Sequence, residues 1–160
     1  MNTLMNEEGN IEGSRMCTLS NEQLAYVAGF LDGDGCIASN YERSKPDSSY
    51  RVRIRISFTQ KSSRRIVLDT LRSWINSGVV AQYEHNDMAE YVIRDQKVVE
   101  QLLIAISPFL IVKKQHAEIA MQIIFLKKEP YTADSLEKMK NHTIAIRALN
   151  HYPKRTILTP

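Results

Sequence analysis

The stretch AGFLDGDGCI, residues 28–37, sets two aspartates and three glycines at the end of an apolar run. Just upstream, LSNEQL (19–24) reads as a helix start. Ser20 caps the N–H of Gln23, Gln23 reaches back to Ser20, and Leu19 and Leu24 take the hydrophobic-staple positions. The helix runs through AYVAGFL and is expected to stop near Gly33. It is apolar almost all round, so it must be covered on more than one side. Ala25 and Gly29 are four residues apart with Ala28 beside them. Small residues at that spacing let two helix backbones approach closely. An Asp-Gly turn would account for the two acids, but not for the helix that leads into them.

Downstream, CIASNYER reads as a strand, followed by a turn in SKPDSS. YRVRIRISFT then alternates strictly. Val52, Ile54, Ile56 and Phe58 point one way, and Arg51, Arg53, Arg55 and Ser57 the other. SSRRIVLDTLRSWI reads as a helix with Val67, Leu68, Leu71, Trp74 and Ile75 on its apolar face. GVVAQYE and EYVIR, joined around Asn86-Asp87, form a second hairpin. KVVEQLLIAI is a short helix stopped near Pro108, KKQHAEIAMQIIFLKK another, and TADSLEKMKNHTIAIRALN a last, more polar one. The order is αββαββα plus C-terminal helices. This is an α+β class, with one four-stranded antiparallel sheet backed by helices and its other face left for solvent or a ligand. No tandem repeat and no second copy of the opening motif is present.

At 160 residues the chain has room for one compact domain, placed at 18–152. The acidic, Gly-containing segment before it reads as a mobile tail over 1–17, and the basic, Pro-containing end as a tail over 153–160. No apolar run approaches ~18 residues, and the N-terminus has no signal-like apolar segment. The expectation is an intracellular protein, in a prokaryotic cytoplasm or an organelle, without a membrane partner. Cys17 and Cys36 fit neither a disulfide framework nor a CxxC metal site and are read as free thiols. His85, His116, His142 and His151 are too scattered for zinc. No Gly-rich phosphate loop or Ser/His/Asp set appears. The net charge of +3 points weakly to nucleic acid, and its distribution points more strongly: residues 51–65 carry six basic side chains and no acidic one. Arg51, Arg53 and Arg55 stand roughly 7 Å apart on one strand face, where like charges repel and favour an anion; such a row can follow a groove and donate to guanine. The partner strand is expected to add Asn40 and Glu42 to that face.

YVAGFLDGDG resembles the LAGLIDADG motif of homing endonucleases, and the likeness in order and spacing extends over roughly residues 20–128. TQKSSRRIVLDTL and PFLIVKK look like the corresponding segments of the single-motif, homodimeric members. The resemblance implies that the motif helix packs against its own copy through Ala25, Ala28 and Gly29 about a two-fold axis. Asp34 of each subunit would then face the scissile phosphates as a ligand of Mg²⁺, with the Gly33 carbonyl as a second oxygen ligand. Mn²⁺ or Ca²⁺ would also fit, Ca²⁺ without cleavage. Asp32 is read as capping or bracing the helix end. By alignment, Gln60, Arg64 and Lys113 join the catalytic set, where such residues organise solvent at the metal and stabilise the phosphate. Lys114 is the one-residue alternative to Lys113. Tyr83, Glu90 and Val92 fall where family members contact bases. The implied activity is sequence-specific cleavage of both strands of a long pseudo-palindromic DNA site, leaving 3′ overhangs, by an enzyme borne within an intron or intein-like element. Relatives that splice RNA as maturases, or bind DNA without cutting, are the alternative. Asp34 favours the enzyme.

Overall fold

The computed structural model describes residues 18–43 and 50–150. The expected order is observed: helix α1 (Asn21–Asp34), strands β1 (Gly35–Arg43) and β2 (Tyr50–Lys61), helix α2 (Arg65–Ile75), strands β3 (Val79–Tyr83) and β4 (Met88–Ile93), then helices α3 (Gln96–Ile106), α4 (Lys114–Leu126) and α5 (Ala133–Leu149). Short 3₁₀ turns lead into α2 and follow α3. Both terminal tails, the SKPDSS turn, Cys17 and His151 lie outside the described residues. None of the described helices is long and apolar enough to cross a membrane.

The four strands form one antiparallel sheet in the order β1-β2-β4-β3. The alternation in β2 sets the two faces. Val52, Ile54, Ile56 and Phe58 are at most 1% exposed and meet Ile37, Tyr91 and Ile93 from the neighbouring strands in the core. All five helices pack on that side. Leu68, Leu71 and Ile75 of α2 are buried, and Val67 and Trp74 pack partly against the same core, as their helical spacing predicts. Leu102, Leu103 and Ile106 of α3 complete it. The polar α5 is tied to β1 by hydrogen bonds as well as packing: the buried hydroxyls of Ser39 and Thr143 are 2.7 Å apart, and Asn150 Nδ2 donates to the Ile37 carbonyl at 2.9 Å.

β4 reaches only far enough to pair with Ile56–Lys61 of β2. Beyond it, the Gln96 side chain takes the missing strand's place. Its Oε1 accepts from Ile54 N at 3.0 Å and its Nε2 donates to Ile54 O at 2.8 Å. A partly buried backbone pair is thereby satisfied by a single amide.

The helix start is built as the sequence predicts. Ser20 Oγ accepts from Gln23 N at 3.2 Å, and Gln23 Oε1 accepts from Ser20 N at 2.9 Å; such a cap contributes about 1 kcal/mol. At the other end α1 passes directly into β1 at Gly35. This glycine has an ordinary φ of −110°. What requires it is space, because a Cβ there would lie 2.7 Å from Leu31 Cα and 2.9 Å from Leu31 O. The demand for glycine at position 35 therefore comes from the chain's own preceding turn. Gly29 and Gly33 have nothing within 4 Å of the Cβ position.

Candidate active site and nucleic-acid face

One side of α1 belongs to the core, with Val27, Ala28 and Leu31 fully buried. The other side carries Ala25, Gly29 and Gly33, all exposed and spaced by four residues. This corrects the reading of Ala28 as an interface residue. A helix places residue 28 about 100° from residue 29, enough to turn its methyl inward. Ala25 and Gly29 remain on the free face.

Asp34 closes α1 and is exposed. Gln60 reaches it from β2, donating from Nε2 to Asp34 Oδ2 at 2.6 Å. Gln60 pairs with Ala89 in the register and so shares the helix-facing parity of Phe58, opposite to the arginines. That parity lets it meet the end of α1. Lys113, at the start of α4, donates from Nζ to the Asp32 carbonyl at 2.8 Å. Asp34, Gln60 and Lys113 thus converge on one helix end. Arg64 is exposed at the turn before α2, and among the described residues it makes no hydrogen bond or ion pair with the other three. Lys114 opens α4 and is exposed.

Asp32 does more than brace its own helix. Its Oδ2 accepts from Ile111 N at 2.8 Å and Val112 N at 3.1 Å, and its Oδ1 from Lys113 N at 2.9 Å. Partial burial pushes this carboxyl upward. The three backbone N–H groups and the Lys113 charge outweigh that, holding it below the ordinary aspartate value. The carboxylate therefore fixes the segment that presents Lys113. The sequence signals the cap residue type, but not the partner 80 positions away.

The donors at the end of α1, the Asp34 carboxylate and the Gly33 carbonyl, are oxygens, which suits a hard cation. Among the described residues no group of three or more His, Cys, Asp or Glu side chains forms a closed cage. Mg²⁺ typically takes one or two carboxylates together with substrate phosphates and water, so one exposed aspartate per chain fits such an ion.

The face opposite the helices carries the reading candidates. The register places Asn40 opposite Arg53, Glu42 opposite Arg51 and Ala38 opposite Arg55. It sets Ser57 against Val92 and Glu90 between Thr59 and Ala81. Tyr83 shares this face, its hydroxyl 3.3 Å from Glu90 Oε2. Every residue named for this face lies on it. Ser57 and Val92, however, are only 4% and 6% exposed, so they form its floor and do not reach outward. A short side chain in a central row is screened by its cross-strand partners and by longer neighbours two residues along. Thr59 and Lys61 were missed, although the same alternation carries them onto this face. A small cavity of about 260 Å³ opens beside Asn40 and Arg55, completed by Arg147 and Asn150.

Comparison with known proteins agrees with this architecture. The LAGLIDADG endonuclease family profile matches residues 27–125. DNA endonuclease I-CreI of Chlamydomonas reinhardtii is 34% identical over 109 residues, 66% of this chain and 64% of that protein. DNA endonuclease I-CvuI of Chlorella vulgaris is 30% identical over 139 residues, 85% of this chain and 84% of that protein. The crystal structure of I-CvuI with the I-CreI target and Mg superposes with a TM-score of 0.77 at 23% identity, covering 85% of this chain and 87% of that one. I-CvuI has also been crystallised with its own target in the presence of Ca. The DNA complex of the archaeal intron-encoded homing endonuclease I-Vdi141I gives a TM-score of 0.72 at 16% identity, covering 84% and 88%. With the profile spanning most of the folded region and a single motif at the end of α1, this chain belongs to the LAGLIDADG endonuclease family.

Proposed function

We propose that this chain is a sequence-specific, divalent-metal-dependent DNA endonuclease that acts as a two-fold homodimer. The observation that carries the reading is the convergence of Asp34, Gln60 and Lys113 at the end of a helix whose free face is small and open. Pairing two copies along Ala25, Gly29 and Gly33 would bring the two Asp34 carboxylates together near the axis. Each sheet would then lie along one half of the target, with Arg51, Arg53 and Arg55 directed to base edges and Asn40, Glu42, Tyr83 and Glu90 beside them. The I-CvuI complexes were crystallised in the presence of Mg, with the I-CreI target not cleaved, and of Ca. For this chain the oxygen donors of Asp34 and Gly33 support Mg²⁺ as the ion, which when bound would supply Lewis acidity and lower the pKa of water.

The chain's own residues do the rest. Asp34 offers oxygen ligands, with the Gly33 carbonyl beside it. Gln60 holds the Asp34 carboxylate in one orientation through its 2.6 Å bond, which leaves the Gln60 Oε1 to accept from water. Lys113 spends one proton on the Asp32 carbonyl and has two more for a phosphate oxygen on which charge develops. Arg64, exposed at the turn before α2, would add a cation for a flanking phosphate once DNA is bound.

The test is cleavage of a site selected from a randomised duplex library, with and without Mg²⁺. Wild-type protein should cut and Asp34→Asn should bind without cutting. Near-normal cleavage by Asp34→Asn would end the metal assignment. Binding without cleavage by the wild type would favour a regulator or maturase.

A further inference from the structure

At the outer end of β2, where β4 no longer covers it, a cavity of about 540 Å³ opens at the margin of the sheet. Arg51, Arg53, Arg94 and Lys127 line it, with Gln96 at its inner wall. Its lining holds no acidic residue, and among the described residues none of the four cations takes part in a salt bridge. Lys127 is held there by a 3.1 Å bond from Nζ to Gln96 Oε1. Gln96 is itself fixed to Ile54 and to the Arg94 carbonyl, the latter at 2.8 Å. Burial, and then the charge of Arg53, push the Lys127 ammonium below its usual pKa. Val52 also lines the cavity. It has the same parity as Ile54, so its backbone N–H leaves the strand on the same side. Four cations and a backbone donor around one cavity, with no acidic residue in its lining, are arranged for an anion with several acceptor oxygens. The cavity falls within the size range of pockets that hold whole small ligands, so a bare phosphate ion would leave most of it empty.

We propose that this pocket is a phosphate site that seats a sugar–phosphate unit of the duplex backbone, beside the groove faced by Arg51 and Arg53. The source of the phosphate rests on the endonuclease reading; the chemistry of the pocket does not. Arg94 and Lys127 would then contribute affinity without contributing sequence preference.

Two arms test it, with wild type, Arg94→Gln, and the double variant Arg94→Gln/Lys127→Gln. In the first, pyrophosphate is titrated while thermal unfolding is followed. It should raise the midpoint of the wild type and fail to raise that of the double variant. In the second, affinity for the selected target and for an unrelated duplex is measured against salt. The slope of log affinity on log salt should become shallower by about 0.9 per protomer in Arg94→Gln and about 1.8 in the double variant, equally on both duplexes. Lys127→Arg, which keeps the charge, should restore the slope lost at that position. Equal response of wild type and double variant to pyrophosphate overturns the site. A pyrophosphate response with unchanged salt slopes overturns the duplex backbone as its occupant. If the wild type binds no duplex at all, the endonuclease reading falls, while the pyrophosphate arm still decides the pocket's chemistry.

Discussion

Replacing Asp32 with alanine should loosen the segment that carries Lys113 without disturbing the sheet. Its carboxylate accepts three successive backbone N–H groups, from Ile111, Val112 and Lys113, at 2.8–3.1 Å. Bonds to a charged acceptor are worth up to about 1.5–3 kcal/mol each when desolvated. Ile111 and Val112 are 86% and 67% exposed, so water replaces the acceptor for those two at little cost. The Lys113 bond is partly buried and carries most of the loss. The total should resemble that of deleting a helix cap, about 1–2 kcal/mol. For a chain of this size that lowers Tm by roughly 2–8 °C. Asp32→Asn should be no gentler than alanine by much, because the amide turns an N–H₂ toward backbone donors. Amide exchange should accelerate at Ile111–Lys113 and stay unchanged in β2. Single-turnover cleavage should slow while duplex affinity is retained. Unchanged Tm together with unchanged exchange at those three amides would refute the brace.

Arg53→Ala should weaken binding to the selected target by about 1–3 kcal/mol and relax preference at one position per half-site. Its strand neighbour Ile54→Ala should instead lower stability by about 2–5 kcal/mol, since Ile54 is fully buried; competitive selection and denaturant titration separate the two effects. Gly29→Leu should hold the two copies apart, and sedimentation at micromolar concentration should find a monomer where the wild type is a dimer. His116 is buried and its Nδ1 lacks a partner among the described residues. Burial, and next the Lys113 charge, lower its pKa, so the neutral ring is favoured in the folded chain. Its contribution to stability is therefore complete above about pH 6.5 and is lost as pH falls through the depressed folded value. His116→Gln should flatten that part of the acid limb in unfolding curves measured across pH, and an unaltered limb would contradict the assignment.

The elements were legible because the local signals agree. The capping box at Ser20, the period-two alternation of β2 and the helical spacing of Leu68, Leu71 and Ile75 each point to the structure observed. The alternation also told which side of β2 faces away from the helices. Exposure was less legible. Ser57 lies on the expected face yet is covered, because cover depends on what stands across the ladder at Cys36 and Val92. Ala28 looked like part of a small-residue stripe, but only the direction of the core tells which small residues remain free. Contacts between distant segments left no local trace. Asp32 reaching the segment before α4, and Gln96 with Lys127 closing the end of β2, join side chains that carry no motif. The catalytic candidates Asp34, Gln60 and Lys113 came from resemblance, and the fold brings them to one helix end.

The Gln96 amide also bears on how the chain is made. Strands β1 and β2 are synthesised well before residue 96 leaves the ribosome, and β2 can pair with β1 at once. Until α3 docks, the N–H and C=O of Ile54 stay open on a strand rich in isoleucine and valine, a ready template for a second nascent chain. Docking α3 fills both groups with one side chain. Those two groups are therefore closed to intermolecular pairing only once α3 has docked. Between making β2 and docking α3 this edge is open to pairing with another chain, and the like charges of Arg51, Arg53 and Arg55 on the same strand oppose the approach of a second copy.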